Sequence, residues 1–137
     1  MKTQSLLPAA LLLFAATPAL AADEETAAIC AEAEERYVEI FGQPSASVDD
    51  AEVVLMYKYN FCPFELTVKA GTTVRWVNVD KRTSHSVLFK DSSEPESVRL
   101  FPEETVDMTF LTPGPQNYLC GPHWETQNMI GMITVEP

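Results

Sequence analysis

The sequence predicts an all-β sandwich or barrel of short strands, with one added helix on its N-terminal side. Two features predict the β domain: runs of strand-forming residues recur from residue 51 onward, and Pro and Gly end these runs at short intervals. Frequent turns between short strands are typical of β-sandwiches and barrels. The third feature is a segment rich in Ala and Glu, without Gly or Pro, at residues 23–41, and it predicts the helix.

The first element in the chain is a predicted signal peptide. Lys2 is followed by an apolar run at residues 6–14 and then by Ala19-Leu20-Ala21. A charged start, an apolar run and small residues, in that order, characterise a secretory signal. The apolar run is shorter than the about 20 residues that a membrane span needs, although an uncleaved anchor is the alternative. We therefore expect residues 1–21 to be removed, after Ala21 or Ala22, and the mature protein to be periplasmic and not inserted in a membrane.

Residues 22–50 are predicted to form the added helix and a linker. The apolar positions at helical spacing are Ile29, Ala33, Tyr37 and Ile40. The helix is expected to stop before Gly42-Gln43-Pro44, and Glu32 and Arg36 have the i,i+4 spacing of an ion pair. The linker then covers residues 42–50.

The β domain is predicted to occupy residues 51–137. Its expected strands lie in residues 53–59, 64–68, 72–79, 86–90, 105–111, 117–119 and 131–135. The turns between them contain Gly or Pro, as at Ala70-Gly71 and Pro113-Gly114-Pro115.

The charge of the expected mature chain argues against polyanionic partners. Without Lys2, eight basic residues stand against twenty acidic ones, a net charge of −12. Nucleic acid and anionic lipid should repel such a chain. The charge either favours a positively charged partner or only keeps the protein soluble. The same alternatives apply to an acidic patch that contains Glu94, Glu96, Glu103 and Glu104.

Four residues carry the candidate chemistry: His85, Cys120, His123 and Met129. The chain has two histidines, and His123 follows Cys120 within the segment Cys120-Gly121-Pro122-His123, with Met129 six residues later. Two imidazoles, one thiolate and a weak thioether form the ligand set of a blue copper site. This mixture of soft and borderline donors holds Cu(I) and Cu(II) comparably well, so one-electron exchange needs little rearrangement.

Several separate motifs resemble those of the cupredoxins, of the plastocyanin, pseudoazurin and amicyanin type. In order along residues 51–137 they are FELTVKAGTTVRWVN (64–78), SHSV (84–87), YLCGPH (118–123) and MIGMITV (129–135). The resemblance implies an eight-stranded Greek-key β-sandwich that holds one type 1 copper ion at one end. It further implies a monomeric electron carrier, not an enzyme, whose partners are redox proteins such as a c-type cytochrome or a periplasmic oxidoreductase.

By the same resemblance, electrons pass through the exposed ring edge of His123. Gly121, Pro122 and Trp124 are then expected to surround that edge with a mostly apolar surface. For Trp124, shielding of the metal, partner docking and simple packing all remain open. The alternative function is a periplasmic copper carrier or chaperone.

The chain differs from the cupredoxin pattern at two places near the expected metal. Five residues, 124–128, separate His123 from Met129, where relatives usually have four or fewer. Met129 is the favoured axial ligand, with Met132 or a side-chain oxygen of residue 127 or 128 as the alternatives. In addition, Ser86 follows His85 where many relatives have Asn, a residue that ties the two ligand loops together; Ser has a shorter reach.

The cysteine count predicts one disulfide. Three cysteines in an exported chain leave one unpaired, and Cys120 is the expected metal ligand. Cys30 and Cys62 are therefore predicted to pair and to fasten the helix to the sandwich. The alternative is that one of them is a ligand of a second metal.

Overall fold

The computed structural model describes residues 18–137, with side chains from residue 23 onward; most of the expected signal peptide therefore lies outside the described residues. The described elements, in chain order, are helix α1 (Pro18–Phe41), a 3-10 turn (Ser45–Ser47), β1 (Glu52–Tyr57), β2 (Asn60–Cys62), β3 (Glu65–Lys69), β4 (Thr72–Asn78), β5 (Thr105–Phe110), β6 (Gly114–Leu119), helix α2 (Trp124–Gln127) and β7 (Ile130–Glu136).

The strands form two sheets, which confirms the predicted all-β sandwich. One sheet has the order β2-β1-β4-β5 and the other β3-β7-β6. The pairs β1–β4 and β3–β7 are parallel, and the remaining pairs are antiparallel. The side chains that alternate inward from the two sheets meet in one apolar core, whose members include Trp76, Tyr118, Phe61, Met56 and Ile133.

The strand predicted at residues 86–90 is not continuous. Only isolated bridges form there, between His85 and Leu100 and between Leu88 and Leu119. The intervening backbone N–H groups donate to side chains: Val87 N to Ser97 Oγ at 2.9 Å, and Ser86 N to a cysteine sulfur. Because these N–H groups do not bond to a neighbouring strand, residues 86–90 do not form a strand. The described residues therefore contain seven strands and not the expected eight.

The predicted first strand also ends earlier than expected. Lys58 and Tyr59 have positive φ values of 46° and 61° and form a two-residue turn between β1 and β2. Two left-handed residues are what a hairpin turn of this length requires. Tyr59 is therefore a turn residue and not a strand residue.

Helix α1 packs on the outer face of the β2-β1-β4-β5 sheet. Ala33 and Tyr37 are buried there against Leu55, Val77 and Val79, so the predicted apolar spacing is confirmed. The helix ends at Phe41, as predicted, because Gly42 takes a left-handed φ of 75° and its N–H donates to the Val38 carbonyl. No helix among the described residues is both long and apolar enough to cross a bilayer.

Two side-chain predictions for the helix have opposite outcomes. The i,i+4 pair is wrong, since Glu32 pairs with Lys58 in the β1–β2 turn and Arg36 pairs with Glu39. The disulfide is confirmed: Cys30 of α1 and Cys62 of β2 are bonded, with their Cα atoms 5.4 Å apart. The helix is thus fastened covalently to the edge strand of the sheet.

Candidate metal centre

The four candidate residues come together at one end of the sandwich. His85 lies in the connection after β4, Cys120 directly follows β6, His123 precedes α2, and Met129 directly precedes β7. The Cys120 carbonyl accepts hydrogen bonds from the N–H groups of His123 (3.1 Å) and Trp124 (2.9 Å), and its own N–H donates to the Met129 carbonyl (3.0 Å). The segment 120–129 is therefore closed by backbone bonds at both ends.

Three ligand atoms converge. The Sγ of Cys120 lies 3.7 Å from Nδ1 of His85 and 3.4 Å from Nδ1 of His123, and the three donors are all within 4.8 Å of one another. His85 and Cys120 are completely buried, whereas His123 is half-buried. Two imidazole nitrogens and a sulfur at this spacing can hold one transition-metal ion.

A buried carboxylate orients the first imidazole. Oδ2 of Asp80 lies 2.6 Å from Nε2 of His85. Because a carboxylate only accepts, Nε2 carries the proton, and the lone pair of Nδ1 faces Cys120. Asp80 also accepts the N–H of Lys58, so the β1–β2 turn braces this carboxylate.

The connection that carries His85 is organised by Asn78, a buried residue at the end of β4. Its side-chain amide donates to the carbonyls of Thr83 (2.8 Å) and Leu100 (2.9 Å), and its oxygen accepts the Asp80 N–H (2.9 Å). A buried amide with all these bonds made fixes the backbone around it. The position of His85 is thus set by the protein before any metal binds.

The electrostatic surroundings suit a cation. Burial raises the pKa of the Cys120 thiol, and the Ser86 N–H, which donates to its sulfur at 3.4 Å, opposes that effect. Burial lowers the pKa of His123, and the charge of Arg99 acts in the same direction, so the His123 imidazole is neutral near pH 7 and free to bind a metal. A metal cation that binds here takes the place of the thiol proton and offsets the cost of a buried thiolate.

The long segment between His123 and Met129 folds into helix α2. This single helical turn ends at Gln127. The next residue, Asn128, has a left-handed φ of 52°, which Asn tolerates, and it reverses the direction of the chain. The sequence pattern gave no sign of this turn. It takes up the extra length and returns the chain to Met129 at the start of β7.

Met129 is better placed than each of its alternatives. Its side chain is buried in the same apolar cluster as Cys120. In β7, Gly131, Ile133 and Val135 face the core, so Met132 lies on the opposite face. Residues 127 and 128 are exposed. Burial and register therefore favour the thioether of Met129.

Three neighbours of this centre were not predicted from the sequence. Asp80 lies only five residues before His85, and that proximity was the available signal. The Tyr59 ring packs edge-on against His123, with centroids 4.9 Å apart, but the sequence pattern had assigned it to a strand. Glu96 was assigned to an acidic surface patch; it is exposed, and its carboxylate also accepts the Ser86 hydroxyl.

A comparison with protein families decides the identity of this fold. Residues 48–136 match the model of the family described as copper binding proteins, plastocyanin/azurin family. The chain belongs to this plastocyanin/azurin family. It is a cupredoxin, as the motifs indicated, and its cofactor is one type 1 copper ion.

Individual relatives agree. Amicyanin-alpha of Methylorubrum extorquens is 35% identical over 129 residues, which cover 91% of this chain and 98% of that protein. Plastocyanin of Scenedesmus fuscus is 33% identical over 86 residues, covering 56% of this chain and 86% of that protein. The crystal structure of amicyanin from Paracoccus versutus superposes with a TM-score of 0.57 at 34% identity, covering 67% of this chain and 88% of that one.

Proposed function

We propose that this protein is a periplasmic carrier of single electrons, whose copper is held by His85, Cys120, His123 and Met129. The observation that carries the proposal is the convergence of one cysteine sulfur and two histidine Nδ1 atoms in a buried site, beside a buried methionine. Family membership supports electron transfer as the use of such a site.

The protein's own groups would keep this site rigid. Copper, when bound, supplies a one-electron couple between Cu(I) and Cu(II). Asp80 keeps Nδ1 of His85 aimed at the site, and the Ser86 N–H donates to the cysteine sulfur. With four protein donors, no firm position is left for a substrate, which argues against an enzyme.

His123 is the proposed electron port. The His123 imidazole is half-buried, whereas that of His85 is buried. The neighbouring Gly121, Pro122 and Trp124 are also half-buried. Tyr59 covers part of the imidazole from the side. The partner is a redox protein, a c-type cytochrome or a periplasmic oxidoreductase, that contacts this end of the sandwich. His123→Gly should slow electron transfer and admit external imidazole; an unchanged transfer rate in this variant would exclude the port.

The export signal and the disulfide support a periplasmic location. A secretory signal at residues 1–21 and a bonded Cys30–Cys62 pair are consistent with an oxidising compartment. We propose that the mature chain begins after Ala21 or Ala22 and acts as a monomer.

The deciding experiment is the absorption spectrum of the mature protein loaded with Cu(II). An intense blue thiolate-to-copper band that bleaches and returns over repeated reduction and oxidation is expected, and Cys120→Ser should abolish it. A colourless complex that loses its copper rapidly to a chelator would instead support the copper carrier. N-terminal sequencing of the periplasmic fraction tests the cleavage site.

A further inference from the structure

A chain of hydrogen bonds joins three segments beside the metal centre. The Ser86 hydroxyl donates to Oε1 of Glu96 at 2.5 Å, and the backbone N–H of Gly121 donates to Ser86 Oγ at 2.9 Å. Ser86 is adjacent to His85, and Gly121 is adjacent to Cys120. The third member, Glu96, lies ten residues after Ser86 in the same connection between β4 and β5.

The direction of these bonds is fixed by chemistry. A carboxylate only accepts and a backbone N–H only donates, so the Ser86 proton must point to Glu96 and a lone pair of Oγ must face Gly121. A hydroxyl alone is free to rotate. The carboxylate therefore converts Ser86 into an oriented acceptor, through a short hydrogen bond of the charge-assisted kind.

Glu96 is itself held in place by its neighbour. The Ser97 N–H donates to the Val87 carbonyl at 2.9 Å, and Ser97 Oγ accepts the Val87 N–H at 2.9 Å. Val87 directly follows Ser86. These two hydrogen bonds hold Ser97 against Val87 and so place the carboxylate of Glu96 opposite the Ser86 hydroxyl.

The glycine at position 121 fits the same arrangement. A Cβ added there would lie 2.0 Å from Oε1 and 2.7 Å from Cδ of Glu96, and 3.0 Å from Ser86 Oγ. Gly121 does not have the positive φ that would itself require glycine. The carboxylate of Glu96 thus fills the space of a side chain at position 121.

We propose that Glu96 is a positioning residue of the copper centre, whose carboxylate orients the Ser86 hydroxyl so that Ser86 Oγ accepts the Gly121 N–H and ties the His85 segment to the Cys120 segment. The inference rests on the proposed function. At this position, where many relatives have asparagine, Ser86 reaches the Gly121 N–H directly, and Glu96 fixes the direction of the serine hydroxyl. The Ser86 N–H also donates to Cys120 Sγ, between the same two segments. The link through Ser86 therefore controls the distance between the cysteine sulfur and the His85 imidazole.

The test compares Glu96→Ala with Glu96→Gln, which keeps an acceptor oxygen, and with Glu94→Ala as the control. Glu94 is a carboxylate of the same connection and is exposed, as Glu96 is. In apo protein, Glu96→Ala should speed hydrogen exchange of the Gly121 N–H. In loaded protein, it should speed copper transfer to a chelator roughly tenfold, at the low end of the usual effect of a lost outer partner. Glu96→Gln should stay close to wild type.

Two further measurements combine substitutions at pairs of these residues. Ser86→Ala and Glu96→Ala should be non-additive in copper release, because each breaks the same tie. Gly121→Ala should displace the Glu96 carboxylate, which is the end of an exposed side chain, and should therefore speed copper release as Glu96→Ala does, with no further increase in the double variant.

Three results would overturn the proposal: Glu96→Ala behaving like Glu94→Ala, additive losses, or a lower melting temperature in Glu96→Ala without faster copper release. Failure of the proposed function would look different. The wild-type protein would then lack the blue band, while exchange of the Gly121 N–H would still depend on Glu96.

Discussion

Replacing both bonded cysteines should cost this protein a large part of its stability. The Cys30–Cys62 bond closes a loop with a sequence separation of 32, and the chain-entropy relation for such a loop gives about 3 to 4 kcal/mol. For a domain of this size that loss corresponds to a fall in melting temperature on the order of 10 °C. We therefore expect a markedly lower free energy of unfolding in the variant with both cysteines changed to alanine.

Urea unfolding followed by circular dichroism measures this loss. The expected result is a lower midpoint with a somewhat steeper slope, because the unfolded chain without the crosslink is less compact and exposes more surface. Wild-type protein reduced under mild conditions should reproduce it, which controls for the lost sulfur packing. A loss below about 1 kcal/mol in both samples would refute the entropic reasoning. It would mean that residual structure already restricts the unfolded chain when the disulfide is absent.

Three further outcomes are expected. Asp80→Ala should weaken copper binding roughly 10- to 100-fold in a chelator competition, because the imidazole that Asp80 orients loses its partner; unchanged affinity would contradict that role. Met129→Leu should shift the reduction potential and the Cu(II) spectrum, whereas Met132→Leu should shift neither, and the reverse result would make Met132 the axial ligand. The Arg75 guanidinium lowers the pKa of Asp107. The stability that this pair contributes is therefore fully present above the pKa of the carboxyl in the unfolded chain, about 4, and is lost as the pH falls through the lower pKa of the folded protein. Asp107→Asn should remove that acid dependence, a change below about 1 kcal/mol in unfolding free energy since the pair is partly exposed; an unchanged pH profile would show that the pair contributes nothing.

The sequence predicted those features that depend on local pattern. Helical spacing located α1 and its last residue, because burial on one face leaves a direct periodic record. The candidate donors were found because three of them lie within ten residues, from Cys120 to Met129, so one loop presents them together. The disulfide followed from counting, once Cys120 was assigned to the metal.

Features that depend on the path of distant segments were not predictable. Whether residues 86–90 form a ladder depends on Ser97 Oγ and Cys120 Sγ, which take the N–H groups that a strand would use. Glu96 and Asp80 reach the centre through side-chain bonds between segments without a periodic pattern. An acidic residue in a turn-rich connection has the same sequence signature whether it is solvated or supports a buried hydroxyl.

The added helix is connected to the copper end through a single turn. Glu32 of α1 pairs with Lys58, the Lys58 N–H donates to Asp80, and Asp80 orients the buried imidazole. The next residue, Tyr59, packs against the half-buried imidazole of His123. Because the disulfide fixes the strand that follows this turn, the helix holds the β1–β2 hairpin against both histidines. The helix is therefore linked to both candidate histidine ligands by contacts through one hairpin, and it is not a separate appendage.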